Sequence, residues 1–276
     1  MRLVGCGDSW CYGDELHDPV ISPNFVFGKE SLNLIPGNIK YRVENRYLNL
    51  FGNKIGADEI VCLAFRSSSN DAIVRTLIDW LVNEGYATGR DTSELFISIG
   101  WTSPERTEFF YKERWGQDNW FPFGYWSNAH PDRDPKLGEF EKLYFELFWH
   151  AGEYMNRWIR QLWQTEMLLK SLNIKYVMHQ AFYHHHHQMI RSWNDKKYID
   201  NTKDIIIPSD KTIWSLIDPV RFMHKDNDMI GTFHHYIIEQ VDGDKKSVFA
   251  EWHPNSLGHK IWADHMYEYC TTNNLL

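Results

Sequence analysis

The chain has 276 residues, and its 29 Lys and Arg against 37 Asp and Glu leave a formal charge of −8. That length can bury a sizeable core, and an acidic chain without a basic block lacks the clustered cations that sequence-independent nucleic-acid binding requires. The aromatic content, 16%, exceeds what packing a core of this size ordinarily needs, so either the core or a surface is rich in rings.

The first residues, 2–4, are apolar and run at once into Gly5, Gly7 and Asp8, which suits a strand ending in a tight turn. The same break is too early for a signal-peptide core, and no stretch approaches the ~18 apolar residues of a membrane span. A cytoplasmic protein with no membrane partner is the expectation. Residues 14–37 carry Pro19, Pro23 and Pro36 and read as an irregular excursion. Val43, Tyr47, Leu48, Phe51 and Ile55 recur at helical spacing and predict one helix over 41–55, stopped by Gly56. Residues 59–64 read as a buried strand. Asn70 is placed as the N-cap of a helix reaching Gly85, with Ile73, Leu77 and Leu81 on its apolar face. Residues 95–99 form the third strand, ending in Gly100.

Strand, helix, strand, helix, strand implies an α/β three-layer sandwich: a central parallel, flavodoxin-like sheet flanked by helices, with the loops at the strands' C-terminal ends gathered at one edge. Ser9, Ser67 to Asn70, and Trp101 to Ser103 all fall at that edge. Farther on, aromatic residues crowd an insertion at 101–138 without a clean period, and 140–172 reads as one long helix. A fourth strand is predicted at 174–178, then a short strand at 205–207, a short helix at 212–217 and a final helix at 256–270. No linker divides the chain, so 1–276 is read as one domain with the 101–138 insertion and an irregular elaboration at 180–250. Cys6, Cys11, Cys62 and Cys270 are too scattered for a disulfide framework or a zinc CxxC pair.

Two segments carry chemistry. Gly7-Asp8-Ser9 sits where the first strand ends, exposing a hydroxyl beside backbone N–H groups, as a nucleophile needs. It is also an ordinary turn tripeptide. Gly5-x-Gly7 opens like a dinucleotide fingerprint, but Trp10 stands in the place of the third glycine. Before the last helix, Glu251-Trp252-His253-Pro254-Asn255-Ser256-Leu257-Gly258-His259 offers His253 as a base and Glu251 as its orienting carboxylate.

Together these ends resemble the first and last blocks of the SGNH (GDSL) hydrolase superfamily. Between them, 63–71 resembles the second block and Ile99-Gly100-Trp101-Thr102 the third, a pattern also suggestive of SGNH-like proteins carried by tailed bacteriophages. The resemblance implies a serine esterase or acylhydrolase working without metal or organic cofactor. It assigns the nucleophile to Ser9 and the base to His253, and it places the oxyanion hole at the Ser9 and Ser67 backbone N–H groups and the Thr102 side chain. Three departures accompany it: Ser67 stands for a glycine, Thr102 for an asparagine, and Ala250 for the usual aspartate, with Glu251 nearby. The other reading is a non-catalytic carbohydrate-binding or assembly protein on the same scaffold.

Arg66, Trp101 and Arg106 lie in the site loops as candidate substrate contacts, the arginines through their planar forks. The aromatic insertion suits a glycan ester as substrate, since ring faces stack on sugars, and it equally suits a lid. His184 to His187 cannot all converge on one ion from consecutive positions and are read as an exposed polar loop, so no metal is expected.

Overall fold

The computed structural model describes residues 1–20, 37–110, 120–123, 135–148, 151–181, 208–225 and 231–276. Four parallel strands make the central sheet: β1 (Arg2–Cys6), β2 (Glu59–Cys62), β3 (Leu95–Trp101) and β6 (Lys175–Gln180), in the order β2-β1-β3-β6. Arg2 pairs with Glu59 on one side of β1 and with Leu95 on the other, and Phe96 pairs with Lys175. With the first strand inside and later strands added on both sides, the crossovers lay helices on both faces. Two further strands, β4 (Thr107–Phe110) and β5 (Trp120–Phe123), form a separate antiparallel pair.

Alternating strand residues feed two cores. Leu3, Phe96 and Val177 pack with Tyr47, Leu48 and Phe51 of α3 (Tyr47–Lys54), Phe233 of α8 (Phe233–Glu239) and Trp262 and Met266 of α10 (Ser256–Thr272). Val4, Ile97 and Met178 face the other way, onto Ile73 and Leu77 of α4 (Asn70–Asn83) and Trp158 and Leu162 of α6 (Ala151–Ser171). Cover on both faces explains why β1 and β3 read as apolar runs, whereas the edge strand β2, expected to be buried, is only half-buried. Glycine at the strand ends has a packing reason: a Cβ on Gly7 or Gly100 would meet Cys11 Sγ at 2.2 or 2.3 Å. Beyond β6 the edge is partly satisfied, because Met178 N–H donates to Arg221 O and Met223 N–H to Met178 O.

The remaining helices are α1 (Ser9–Tyr12), α2 (Asn38–Asn45), α5 (Pro135–Leu147), α7 (Pro208–Leu216) and α9 (Lys245–Val248). The single helix predicted over 41–55 is therefore two. Arg46 is extended (φ −73°, ψ 146°), and the Tyr47 N–H donates to His259 Nδ1 on α10 at 3.2 Å instead of to a carbonyl up the chain. The long helix predicted over 140–172 likewise divides into α5 and α6. Ser69, not Asn70, caps α4, its hydroxyl accepting from Ala72 N–H at 3.1 Å.

Among the described residues many of the rings are internal, Trp10, Tyr47, Phe51, Phe96, Trp101, Trp158, Tyr176, Phe222, Phe233 and Trp262 being buried, while Phe65, Phe110, Phe140, Phe148 and Trp252 are exposed. The central part of the aromatic insertion, the strand predicted at 205–207 and His184 to His187 lie outside the described residues. No described helix is long and apolar enough to cross a membrane.

Candidate active site

At the C-terminal end of β1 the chain turns through Asp8, whose Oδ1 accepts from Trp10 N–H at 3.0 Å and caps α1. That cap makes Ser9 the first residue of a one-turn helix, with its hydroxyl at the sheet's C-terminal edge. Ser9 Oγ lies 2.9 Å from His253 Nε2, across 244 residues of sequence. His253 is presented by a tight loop: Ala250 N–H donates to His253 O, Asn255 N–H donates to Val248 O, and the Asn255 side chain caps α10.

The other imidazole nitrogen, Nδ1, lies 2.8 Å from Glu15 Oε1. Glu15 Oε2 accepts the backbone N–H groups of Glu251, Trp252 and His253 at 3.0, 2.9 and 3.1 Å. One buried carboxylate thus folds the histidine loop around itself while orienting the ring. Burial pushes the Glu15 carboxyl up, but the hydrogen bonds from His253 and the loop N–H groups outweigh it and hold it below its ordinary range. An ionised partner on Nδ1 keeps the proton there and turns the Nε2 lone pair toward Ser9. Glu15 has a left-handed backbone, φ 61°, an unusual conformation for a side chain with a Cβ, of the kind that concentrates at functional sites.

Glu251, expected to orient His253, does not do so. Its side chain is exposed, and it contributes its N–H to Glu15. The carboxylate comes instead from just beyond α1. Thr102 also departs from expectation. Its hydroxyl donates to Asp8 Oδ2 at 2.6 Å and its N–H to Asn70 Oδ1 at 3.0 Å, so it is spent on the buried Asp8 rather than offered to an oxyanion. Ser67 has a left-handed backbone, φ 58°, in the turn after β2, a conformation that glycine adopts most readily. Among the described residues no acceptor takes the Ser9 or Ser67 backbone N–H.

Trp101, a candidate substrate contact, is fully buried in the core shared with α4 and α6 and is a packing residue. Arg106 pairs with Asp8 Oδ2 at 3.2 Å, and Arg66 pairs with Asp14 beside the Tyr12 ring. Both arginines are therefore neutralised locally. Asn70, read as the helix cap, does other work, its amide donating to Thr102 O at 3.1 Å, and the neighbouring Asp71 receives Arg157 at 2.9 Å. Glu15 and the Asp8 network escaped the sequence reading. No signal in the sequence marks Glu15, which falls in the segment read as an irregular excursion and whose partner lies 238 residues away.

The architecture defines a class, the α/β proteins that set a hydrogen-bonded serine, histidine and carboxylate at the C-terminal edge of a parallel sheet. Within it, this chain belongs to the family of unknown function DUF6071, matched over residues 29–269, a span that includes His253 and begins after Ser9 and Glu15. No curated protein matches the sequence. Among solved structures it is similar to the psychrotrophic esterase EstA from Pseudoalteromonas sp., at 9% identity and TM-score 0.41, covering 98% of this chain and 97% of that one. It is also similar to a member of the lipolytic protein G-D-S-L family from Veillonella parvula DSM 2008, at 10% identity and TM-score 0.43, covering 99% and 97%. A third is a putative lipolytic protein of the G-D-S-L family from Desulfitobacterium hafniense DCB-2, at 11% identity and TM-score 0.36, covering 100% and 99%.

Proposed function

We propose that the chain is a serine esterase or acylhydrolase acting on a small-molecule ester. The observation that carries this reading is the unbroken hydrogen-bond chain from Ser9 Oγ through the His253 ring to Glu15. Ser9 Oγ attacks the ester carbonyl while His253 Nε2 takes its proton, and the Glu15 carboxylate stabilises the imidazolium that results. The oxyanion lies against the backbone N–H groups of Ser9 and Ser67. Its collapse expels the alcohol, which takes the proton back from His253, and leaves the acyl group on Ser9. A water molecule, deprotonated by the same nitrogen, then releases the acid and restores the serine.

With Thr102 engaged by Asp8, the described residues supply this hole with two backbone donors, and one donor fewer is worth roughly 3–4 kcal/mol, which slows acyl transfer without abolishing it. The test is hydrolysis of p-nitrophenyl acetate by the parent protein and by Ser9→Ala and His253→Ala. Both variants are expected to fall to background. Hydrolysis by Ser9→Ala at the parent rate would overturn the assignment and leave a binding protein on the same fold as the reading to pursue.

A further inference from the structure

Adjoining Arg106 through Arg157, whose Nη2 donates to Arg106 O, lies an open hollow of about 490 Å³ lined by Asp71, Arg75, Glu108, Arg157, Phe109 and Tyr144. Its size falls within the range of small-molecule sites, roughly 300–1,000 Å³. The charges in its wall cancel in pairs. Arg75 Nε and Nη2 each approach the Glu108 carboxylate at 2.9 Å, a two-point fork, and Arg157 Nη2 meets Asp71 Oδ2 at 2.9 Å. Thr107 Oγ1 adds a donor to the same Asp71 oxygen at 3.2 Å. Phe109 and Tyr144 meet edge to face, with centroids 5.2 Å apart.

This composition selects a ligand by elimination. An anion would have to displace Glu108 or Asp71 from its arginine, and a cation would have to displace an arginine from its carboxylate. An apolar ligand would strip water from four charged groups and return no hydrogen bonds. A neutral molecule carrying several hydroxyls can donate to the carboxylate oxygens and accept from the guanidinium N–H groups without breaking either pair, and it can lay its C–H face on a ring. We propose that the cavity binds a neutral sugar ring. Its wall is tied to the nucleophile: Arg157 Nη2 also donates to Arg106 O at 3.2 Å, and the Arg106 guanidinium pairs with Asp8, the residue before Ser9. The bound sugar is then the alcohol half of the ester, an assignment that rests on the esterase reading, whereas the binding itself does not.

The experiment uses the full-length Ser9→Ala protein, which cannot turn substrate over, and saturation-transfer NMR with the methyl glycosides of glucose, galactose, mannose and N-acetylglucosamine, and with glucuronate. At least one neutral glycoside should bind with a dissociation constant on the order of 1 mM, and glucuronate should not. Glu108→Gln removes the charge that neutralises Arg75, so it should weaken the neutral glycoside about tenfold, or 1.4 kcal/mol, and admit glucuronate. Phe109→Ala should weaken the neutral glycoside without admitting glucuronate, and it carries the test alone if thermal melting shows that Glu108→Gln does not fold. The proposal is overturned if no neutral glycoside binds, if glucuronate is preferred, or if binding is unchanged in the folded variants. Sugar binding in a protein whose parent hydrolyses no ester would sink the esterase reading and leave the site standing.

Discussion

Replacing Glu15 by Gln changes one atom and separates the two carboxylates that could orient His253. The amide oxygen can keep the place of Oε2 and go on accepting the three loop N–H groups at 2.9–3.1 Å, so the 250–255 loop has reason to stay folded. Its NH₂ then takes the place of Oε1, 2.8 Å from His253 Nδ1. A donor there forces Nδ1 to accept, which moves the ring proton to Nε2 and presents an N–H to Ser9 where a lone pair is needed. The wrong tautomer in a serine triad costs on the order of 10⁴ in kcat, or about 5.5 kcal/mol of barrier. With p-nitrophenyl acetate as substrate, Glu15→Gln should therefore lose about four orders of magnitude in kcat while melting near the parent temperature. Glu251→Ala, which keeps the same backbone N–H and removes an exposed side chain, should retain nearly full activity. Equal losses in the two variants, or a Glu15→Gln protein close to the parent rate, would refute this reasoning.

Three further outcomes follow from the same geometry. Thr102→Val removes the donor 2.6 Å from the buried Asp8 carboxylate, so urea unfolding should show a loss of about 1.5–3 kcal/mol with kcat little affected; a large fall in kcat at unchanged stability would return Thr102 to the oxyanion hole. Ser67→Gly should be at least as stable as the parent and as active, because glycine relieves a φ of 58° and keeps the N–H; a collapse of activity would mean that the hydroxyl has a role. Burial lowers His179, His234 and His259 to about 3, against about 6.5 in an unfolded chain. Between those values the unfolded chain binds more protons, so stability should fall as pH drops below about 6.5, by up to 1.4 kcal/mol per pH unit for each ring. Glu15 acts in the same direction at lower pH, since its depressed folded value makes its contribution complete above the unfolded value of about 4.3 and lost as pH falls through the folded one. Equal urea midpoints at pH 7 and pH 5 would contradict the histidine effect.

What the sequence disclosed was local. Apolar runs ending in glycine located β1 and β3, because a strand covered on both faces leaves that trace, and the period of Ile73, Leu77 and Leu81 located α4. The break at Arg46 was hidden, since it depends on an imidazole supplied by α10, a contact spanning 212 residues. Asn70 stood one position from a true cap, and only the fold shows its amide gripping the Thr102 loop. At the site, Ser9 and His253 were legible because short motifs carry them. Glu15 was not: it works from a strained position behind the histidine loop, and no spacing rule connects residue 15 with residue 253. The surplus of rings looked like a substrate surface, yet Trp101 and many of the described aromatics lie in the two cores.

The central claim is that Ser9 is an activated nucleophile, and a fluorophosphonate probe reads that directly, because it reacts with a serine whose proton is being withdrawn and not with an ordinary hydroxyl. Mass spectrometry of the labelled protein should place a single phosphonyl adduct on the peptide containing Ser9, with labelling abolished in Ser9→Ala and strongly slowed in His253→Ala and Glu15→Gln. A folded parent protein that takes up no label, or one labelled equally well after His253→Ala, would contradict it.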